Sequence, residues 1–230
     1  MMKIKGLQKL TLLDFPERIA STVFVGGCNF RCPFCHNASL VARGGSDGDI
    51  SESSFFSFLS SRVGRLSGVC VSGGEPTLYR ELPEFLSKIK EMGYAVKLDT
   101  NGYSPEMLAE LIDNRLVDYV AMDIKNSREK YALSAGLPGL DISKIEKSAE
   151  LLMTHRVPFE FRTTVCRELH TKEDIVKIGE WLGGDEKFYL QSFKDSGDIL
   201  KEGFSAYSDE EMRELERILS KYIRNSEWRG

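Results

Sequence analysis

The sequence has no apolar run approaching the ~20 residues that a membrane-spanning helix needs. Its first residues, MMKIKGLQKLTLLDFPER, carry two early lysines but no long apolar segment and no small-residue cleavage site, so no secretory leader is expected. It has no surplus of basic charge: 31 Lys and Arg stand against 35 Asp and Glu, and a net charge of −4 argues against a nucleic-acid partner. No repeat, low-complexity tract or internal linker interrupts it. The expectation is one unit over 1–230, with a lead-in at 1–19 and a C-terminal helix in 205–230. These absences imply a cytoplasmic chain, where thiols stay reduced and five cysteines suggest metal or redox chemistry instead of disulfides. What remains, 41% hydrophobic and 29% charged residues, is ordinary for a globular protein.

Three of the five cysteines crowd into GGCNFRCPFCHN, where Cys28, Cys32 and Cys35 fall within eight residues and His36 follows. Several readings fit. Cys32 to His36 matches the C-x-x-C-H of haem attachment but leaves Cys28 unexplained. Zinc held by three Cys and His36 is chemically allowed, although adjacent Cys35 and His36 would have to bend onto one ion. Three inert buried thiols are a third possibility, against which Asn29, Arg31, Pro33 and the paired glycines read as a loop. The fourth is a [4Fe–4S] cluster, normally held by four thiolates. With three, one iron stays open to a non-protein ligand.

Short β-rich runs alternate with helix-patterned segments. Strands are expected at 20–25, 69–71, 95–98, 119–124, 159–165 and 188–191. Helices are expected to start at Ser51, near Pro83, at Ser104, Asp141, Thr171 and Ser208, the last with Glu211 in a capping-box pattern. Two glycine-bearing loops, 43–49 and 126–140, punctuate the series. Six strand–helix units imply a parallel sheet with outer helices. A full eight-unit barrel takes about 250 residues, so the fold class is α/β, an incomplete (β/α)6 TIM-like barrel, with an open doubly wound sheet as the alternative. The cysteines, Glu75, Asp99, Asp123 and Lys125 then follow successive strand ends, which share one face in such folds.

The cysteine spacing C-x3-C-x2-C, with aromatic Phe34 before the last cysteine, resembles the signature of the radical S-adenosylmethionine (SAM) enzymes. The segment Gly73-Gly74-Glu75-Pro76 resembles that family's GGEP motif. Thr11-Leu12-Leu13-Asp14-Phe15-Pro16-Glu17, together with the cysteine string, resembles activating proteins of anaerobic ribonucleoside-triphosphate reductase. Asp99-Thr100-Asn101-Gly102 and Asp123-Ile124-Lys125 resemble segments of the wider glycyl-radical-enzyme activases. The resemblance covers roughly residues 7–195.

The resemblance implies an oxidoreductase that cleaves SAM reductively at a [4Fe–4S] cluster and places a glycyl radical on a partner enzyme. Cys28, Cys32 and Cys35 would hold iron; Phe34 would line the adenine pocket; Gly73, Gly74 and Glu75 would take the SAM ammonium; Lys125 would take its carboxylate; and Asp99 and Asp123 would touch the ribose or a monovalent cation. A low-potential donor such as flavodoxin or ferredoxin is implied. Two departures stand out. No histidine occurs in Leu190-Gln191-Ser192-Phe193, where the pyruvate formate-lyase activase has one contacting SAM, and residues 36–69 contain no further cysteine, so a single cluster is expected. A pyruvate formate-lyase-type activase and a small-molecule enzyme resembling deazaguanine synthases are the alternatives.

Blander readings stand beside these. Asp99 and Asp123 are also plausible caps, Lys125 a solvated loop charge, and Arg162 either a ligand contact or a buried ion pair. Cys70 and Cys166 read as packed thiols, His36 as a neighbour of the cluster, His155 and His170 as surface residues at helix ends, and Trp181, Phe55 and Phe56 as core.

Overall fold

The computed structural model describes residues 1–41, 49–154, 156–195 and 197–230. His155 and all of the 43–49 loop except Asp49 therefore lie outside the described residues. Eight strands form one sheet in sequential order: β1 (Ile4–Thr11), β2 (Ala20–Val25), β3 (Gly68–Gly73), β4 (Ala95–Thr100), β5 (Tyr119–Asp123), β6 (Phe159–Val165), β7 (Gly184–Ser192) and β8 (Ile223–Arg229). All pairs from β2 to β8 are parallel, and β1 alone runs antiparallel. Because β1 and β8 do not pair, the sheet remains an open TIM-like partial barrel.

The helices are α1 (Ala38–Val41), α2 (Glu52–Ser60), α3 (Leu82–Glu91), α4 (Pro105–Asp113), α5 (Tyr131–Ala135), α6 (Ile142–Met153), α7 (Lys172–Leu182) and α8 (Asp209–Leu219). Local chemistry sets their starts. Ser51 and Asp141 side chains accept from backbone N–H groups of α2 and α6, while Thr171 with Asp174 and Ser208 with Glu211 close complete capping boxes on α7 and α8.

The six expected strands become β2 to β7, and the sheet is larger by two. The lead-in supplies β1. The C-terminal stretch, expected as helix, turns at Ser220–Tyr222 into β8: Tyr222 and Ile223 continue the helical spacing from Leu219, but pairing of Ile223 with Gly184 on the sheet edge overrides it. The 126–140 loop carries a 3₁₀ turn at Arg128–Lys130 and then α5. No helix among the described residues is long and apolar enough to cross a membrane.

The sheet has two different faces. Val69, Val71, Val96, Leu98, Val120, Met122, Phe161, Phe188 and Leu190 belong to the main apolar core, at 0% exposure. Alternate residues face the other way. There the register aligns Thr22, Cys70, Lys97 and Tyr119 in one row, and Asp123, Arg162, Tyr189 and Glu227 in another. A closed TIM barrel fills its interior with branched apolar side chains; this one lines it with polar and charged groups.

Candidate active site

A cavity of about 250 Å³ opens at the C-terminal ends of the parallel strands. It is lined by Cys28, Cys32, Phe34, Cys35 and His36 from the loop after β2, and by Gly73, Gly74 and Glu75 at the end of β3. Asp99, Thr100 and Asn101 enter from β4, Asp123 and Lys125 from β5, Arg162 and Thr164 from β6, and Gln191 from β7. Every residue singled out for the site from sequence thus borders one space.

Backbone contact joins the cysteine loop to the segment after β3. Val25 pairs with Gly73, Gly74 N–H donates to the Val25 carbonyl at 2.8 Å, and Glu75 N–H donates to the Gly27 carbonyl at 2.8 Å. A Cβ on Gly74 would lie 2.1 Å from the Gly27 carbonyl oxygen, and Gly73 holds φ +120° with Val25 backbone 2.4 Å from a would-be Cβ. The glycines are thus required by the approach of one loop to the other.

Glu75 is buried and ties three loops together. Its Oε1 accepts from Thr77 N–H at 3.1 Å, Thr77 Oγ1 at 2.6 Å and Thr100 Oγ1 at 2.7 Å, and its Oε2 accepts from Asn101 N–H at 2.6 Å. Burial pushes this carboxyl up, and the four donors pull against that rise. Burial also pushes the thiols up, Cys28 to about 11 and Cys32 to about 12, so both are neutral until a metal displaces the proton.

Asp99 and Asp123 are not caps. They sit in a row of alternating charges with Lys97, Arg162 and Lys125. Lys97 pairs with Asp99; Arg162 lies 3.5 Å from Asp99 and 3.0 Å from Asp123; Lys125 lies 3.0 Å from Asp123; and Ser72 donates to Asp99 at 3.0 Å. Burial alone would raise the Asp123 carboxyl; the Lys125 ammonium and Arg162 guanidinium outweigh it and hold the group well below the usual carboxylate range. Asp99 is lowered in the same way, by Arg162 and Lys97 against burial. Three cations against two carboxylates leave one positive charge over in this row.

His170 corrects the surface assignment: it is at 0% exposure. Its Nε2–H donates to the Lys125 carbonyl at 2.9 Å, and its Nδ1 accepts from Cys166 N–H at 3.2 Å. Burial lowers its basicity. Phe34 packs edge-on against His170 with ring centroids 6.0 Å apart, so one buried imidazole supports both the CPFC loop and the backbone of Lys125. Lys97 and Asn101 were likewise not singled out. Strand alternation carries the signal for Lys97, which lies between buried Val96 and Leu98 in β4 and so shares the opposite face with Asp99. Cys70 and Cys166 are buried thiols and do not line the cavity. Phe55 is core, whereas Phe56 and Trp181 are half-buried.

The donor set can be tested against an iron–sulfur cluster. The cavity offers three thiols from one loop, no fourth cysteine, and a polar wall opposite with a surplus cation. That set suits a cluster with one iron left for an external, partly anionic ligand.

The family model described as Radical SAM superfamily matches residues 22–182, most of the chain. The chain belongs to the radical SAM superfamily. That family uses a [4Fe–4S] cluster and SAM. A Methanocaldococcus jannaschii protein described as a putative glycyl-radical enzyme activating enzyme is 35% identical over 231 residues, covering 96% of this chain and 93% of that one. A protein of Sulfolobus acidocaldarius described as a probable GTP 3′,8-cyclase is 40% identical over 101 residues, covering 42% of this chain and 31% of that one. Among solved structures, Streptococcus suis SuiB bound to its precursor peptide SuiA superposes with a TM-score of 0.68 at 17% identity, over 89% of this chain and 47% of SuiB. That likeness speaks to fold alone.

Proposed function

We propose that this radical SAM enzyme activates a glycyl radical enzyme, and that its partner is an anaerobic ribonucleoside-triphosphate reductase. The observation that carries the first part is the end-to-end likeness to a glycyl-radical enzyme activating enzyme, coupled with a cavity that gathers Cys28, Cys32, Cys35, Glu75 and Lys125. The second part is supported by the Thr11–Glu17 lead-in. Thr11 ends β1 and the rest forms the β1–β2 connection, where Phe15 packs with Ala20 and Tyr119 at the far end of the partial barrel.

In this reading Cys28, Cys32 and Cys35 hold iron. When bound, the cluster supplies the single electron that cleaves SAM, so that the adenosyl fragment can take hydrogen from a partner glycine. The chain's own groups bind and orient. Glu75 Oε1 is committed to Thr77 and Thr100; Oε2, with one donor, keeps a lone pair for the SAM ammonium beside the Gly73–Gly74 backbone. Lys125, held by Asp123 and by His170 at its carbonyl, provides the charge for the SAM carboxylate. Asp99 and Asp123 hold Arg162 and Lys97 as counter-charges, in place of the monovalent cation the resemblance allows. Gln191 stands on the cavity wall, its strand segment in register with Thr164 of β6, at the segment where the pyruvate formate-lyase activase has its SAM-contacting histidine. Phe34 lines the adenine side. A flavodoxin- or ferredoxin-type donor supplies the electron.

The experiment is anaerobic incubation of the reconstituted chain with SAM, reductant and the large reductase subunit. A glycyl EPR doublet on the reductase is expected. The cyclase likeness, 40% identity over 42% of this chain in one relative and 28% over 84% in a Saccharolobus islandicus one, favours a second reading, a small-molecule substrate. SAM cleavage with no doublet on any glycyl partner would support that reading instead.

A further inference from the structure

Asn101 joins the two halves of the site. Its backbone N–H donates to Glu75 Oε2 at 2.6 Å. Its side-chain oxygen accepts from Tyr103 N–H at 3.0 Å, which fixes the amide plane and turns the nitrogen toward the cysteine loop. There the amide nitrogen lies 2.8 Å from Asn29 Oδ1 and 3.9 Å from Cys28 Sγ. An amide carries two N–H groups: one serves Asn29 and the other is directed at the sulfur. Asn101 is 5% exposed, so the contact is screened from bulk water. Cys28 Sγ also accepts the Phe30 backbone N–H at 3.3 Å.

We propose that Asn101 is a positioning residue that sets the reduction potential of the cluster through an N–H···S hydrogen bond to Cys28, with Asn29 holding the amide in place. This rests on the reading of Cys28 as an iron ligand. Hydrogen bonds to the sulfurs and solvent exposure are among the quantities that set cluster potentials. A donor dipole aimed at a ligand thiolate stabilises added negative charge. It therefore favours the reduced cluster and moves the potential upward, within reach of a biological donor. The same residue holds Glu75 through its backbone, so a displacement of the cysteine loop is felt at the carboxylate that faces SAM.

The test is an EPR-monitored potentiometric titration of the anaerobically reconstituted full chain without SAM, comparing wild type, Asn101→Leu and Asn29→Ala, each with iron and sulfide quantified. Asn101→Leu is expected to titrate at a more negative potential, and Asn29→Ala to shift the same way by less, both at wild-type iron content. Asn101→Leu with full iron and an unmoved potential overturns the proposal. Should Asn101→Leu fail to retain iron, Asn29→Ala decides, and an unmoved potential there overturns it too. A wild-type chain that assembles no [4Fe–4S] cluster removes the reading of Cys28 itself and this inference with it, an outcome distinct from an unmoved potential.

Discussion

Arg162, midway along β6, and Asp123, the last residue of β5, are register partners on adjacent parallel strands, and the guanidinium Nε and Nη2 both lie 3.0 Å from Asp123 Oδ1. The same guanidinium reaches Asp99 at 3.5 Å, so one residue serves two carboxylates that would otherwise repel. Arg162→Met leaves both short of counter-charge in a largely buried setting. Stripping a fully buried pair of one partner costs about 3–5 kcal/mol; for this partly exposed pair about 2–3 kcal/mol is expected. Arg162→Lys should recover only part, since a point charge lacks the fork that spans both acids. Chemical denaturation of the metal-free chain measures this, and an unchanged midpoint for Arg162→Met would contradict the pairing.

The carboxylates also set a pH dependence. Both Asp99 and Asp123 are held below their ordinary values. A depressed carboxyl contributes stability that is fully present above its unfolded value, about 3.9 for Asp, and that is lost as pH falls toward the folded value. The stability gap between wild type and Asp123→Asn should therefore be flat from about pH 7 to about pH 5 and narrow below about pH 4. Urea titrations across that range test it; a gap that widens on acidification would reverse the sign.

Glu75→Gln should be more damaging than its size suggests. Whichever way the amide is turned, its NH₂ meets a donor: Asn101 N–H on one side, Thr77 and Thr100 on the other. An unpaired buried donor costs about 1–3 kcal/mol, and the loss falls on the loop that carries Asn101. Thermal melts and SAM binding by equilibrium dialysis should both weaken. Full binding with a lowered melting point would restrict Glu75 to a structural role.

How much of this was legible beforehand differs by element. The parallel core was, because β-branched runs and capped amphipathic helices alternate, and because Ser208 with Glu211 or Thr171 with its following acid announce helix starts locally. The edge strands were not. In β1 the run Gly6, Leu7, Gln8, Lys9, Leu10 is half-buried or exposed, so no clean alternation marks it, and β8 mixes Arg224, Asn225 and Glu227 with apolar residues. At the site, motif spacing located the cysteines, Glu75 and Asp99 on one face, since strand ends converge. The sequence offered a buried ion pair as one of two readings of Arg162, which the structure bears out, but not the two acids that Arg162 bridges, nor His170 buried beneath Lys125. Those depend on which residues the register sets side by side, and in a parallel sheet the partners lie far apart in sequence, as Asp123 and Arg162 do.

His170→Phe should destabilise the chain by about 1–3 kcal/mol, because the Lys125 carbonyl and Cys166 N–H lose their partner in a dry setting. His170→Gln, which keeps a donor for one of them, should recover part. A smaller loss for His170→Phe than for His170→Gln would indicate that ring packing against Phe34, with no hydrogen bond involved, accounts for the residue.

The central claim is that three thiols leave one iron free for SAM. The most direct measurement is the EPR spectrum of the reduced, anaerobically reconstituted chain before and after SAM is added. Direct ligation predicts a changed set of g-values in the wild type and no cluster signal in Cys32→Ala. A signal that SAM leaves unaltered, or zinc recovered in place of iron and sulfide, would contradict it.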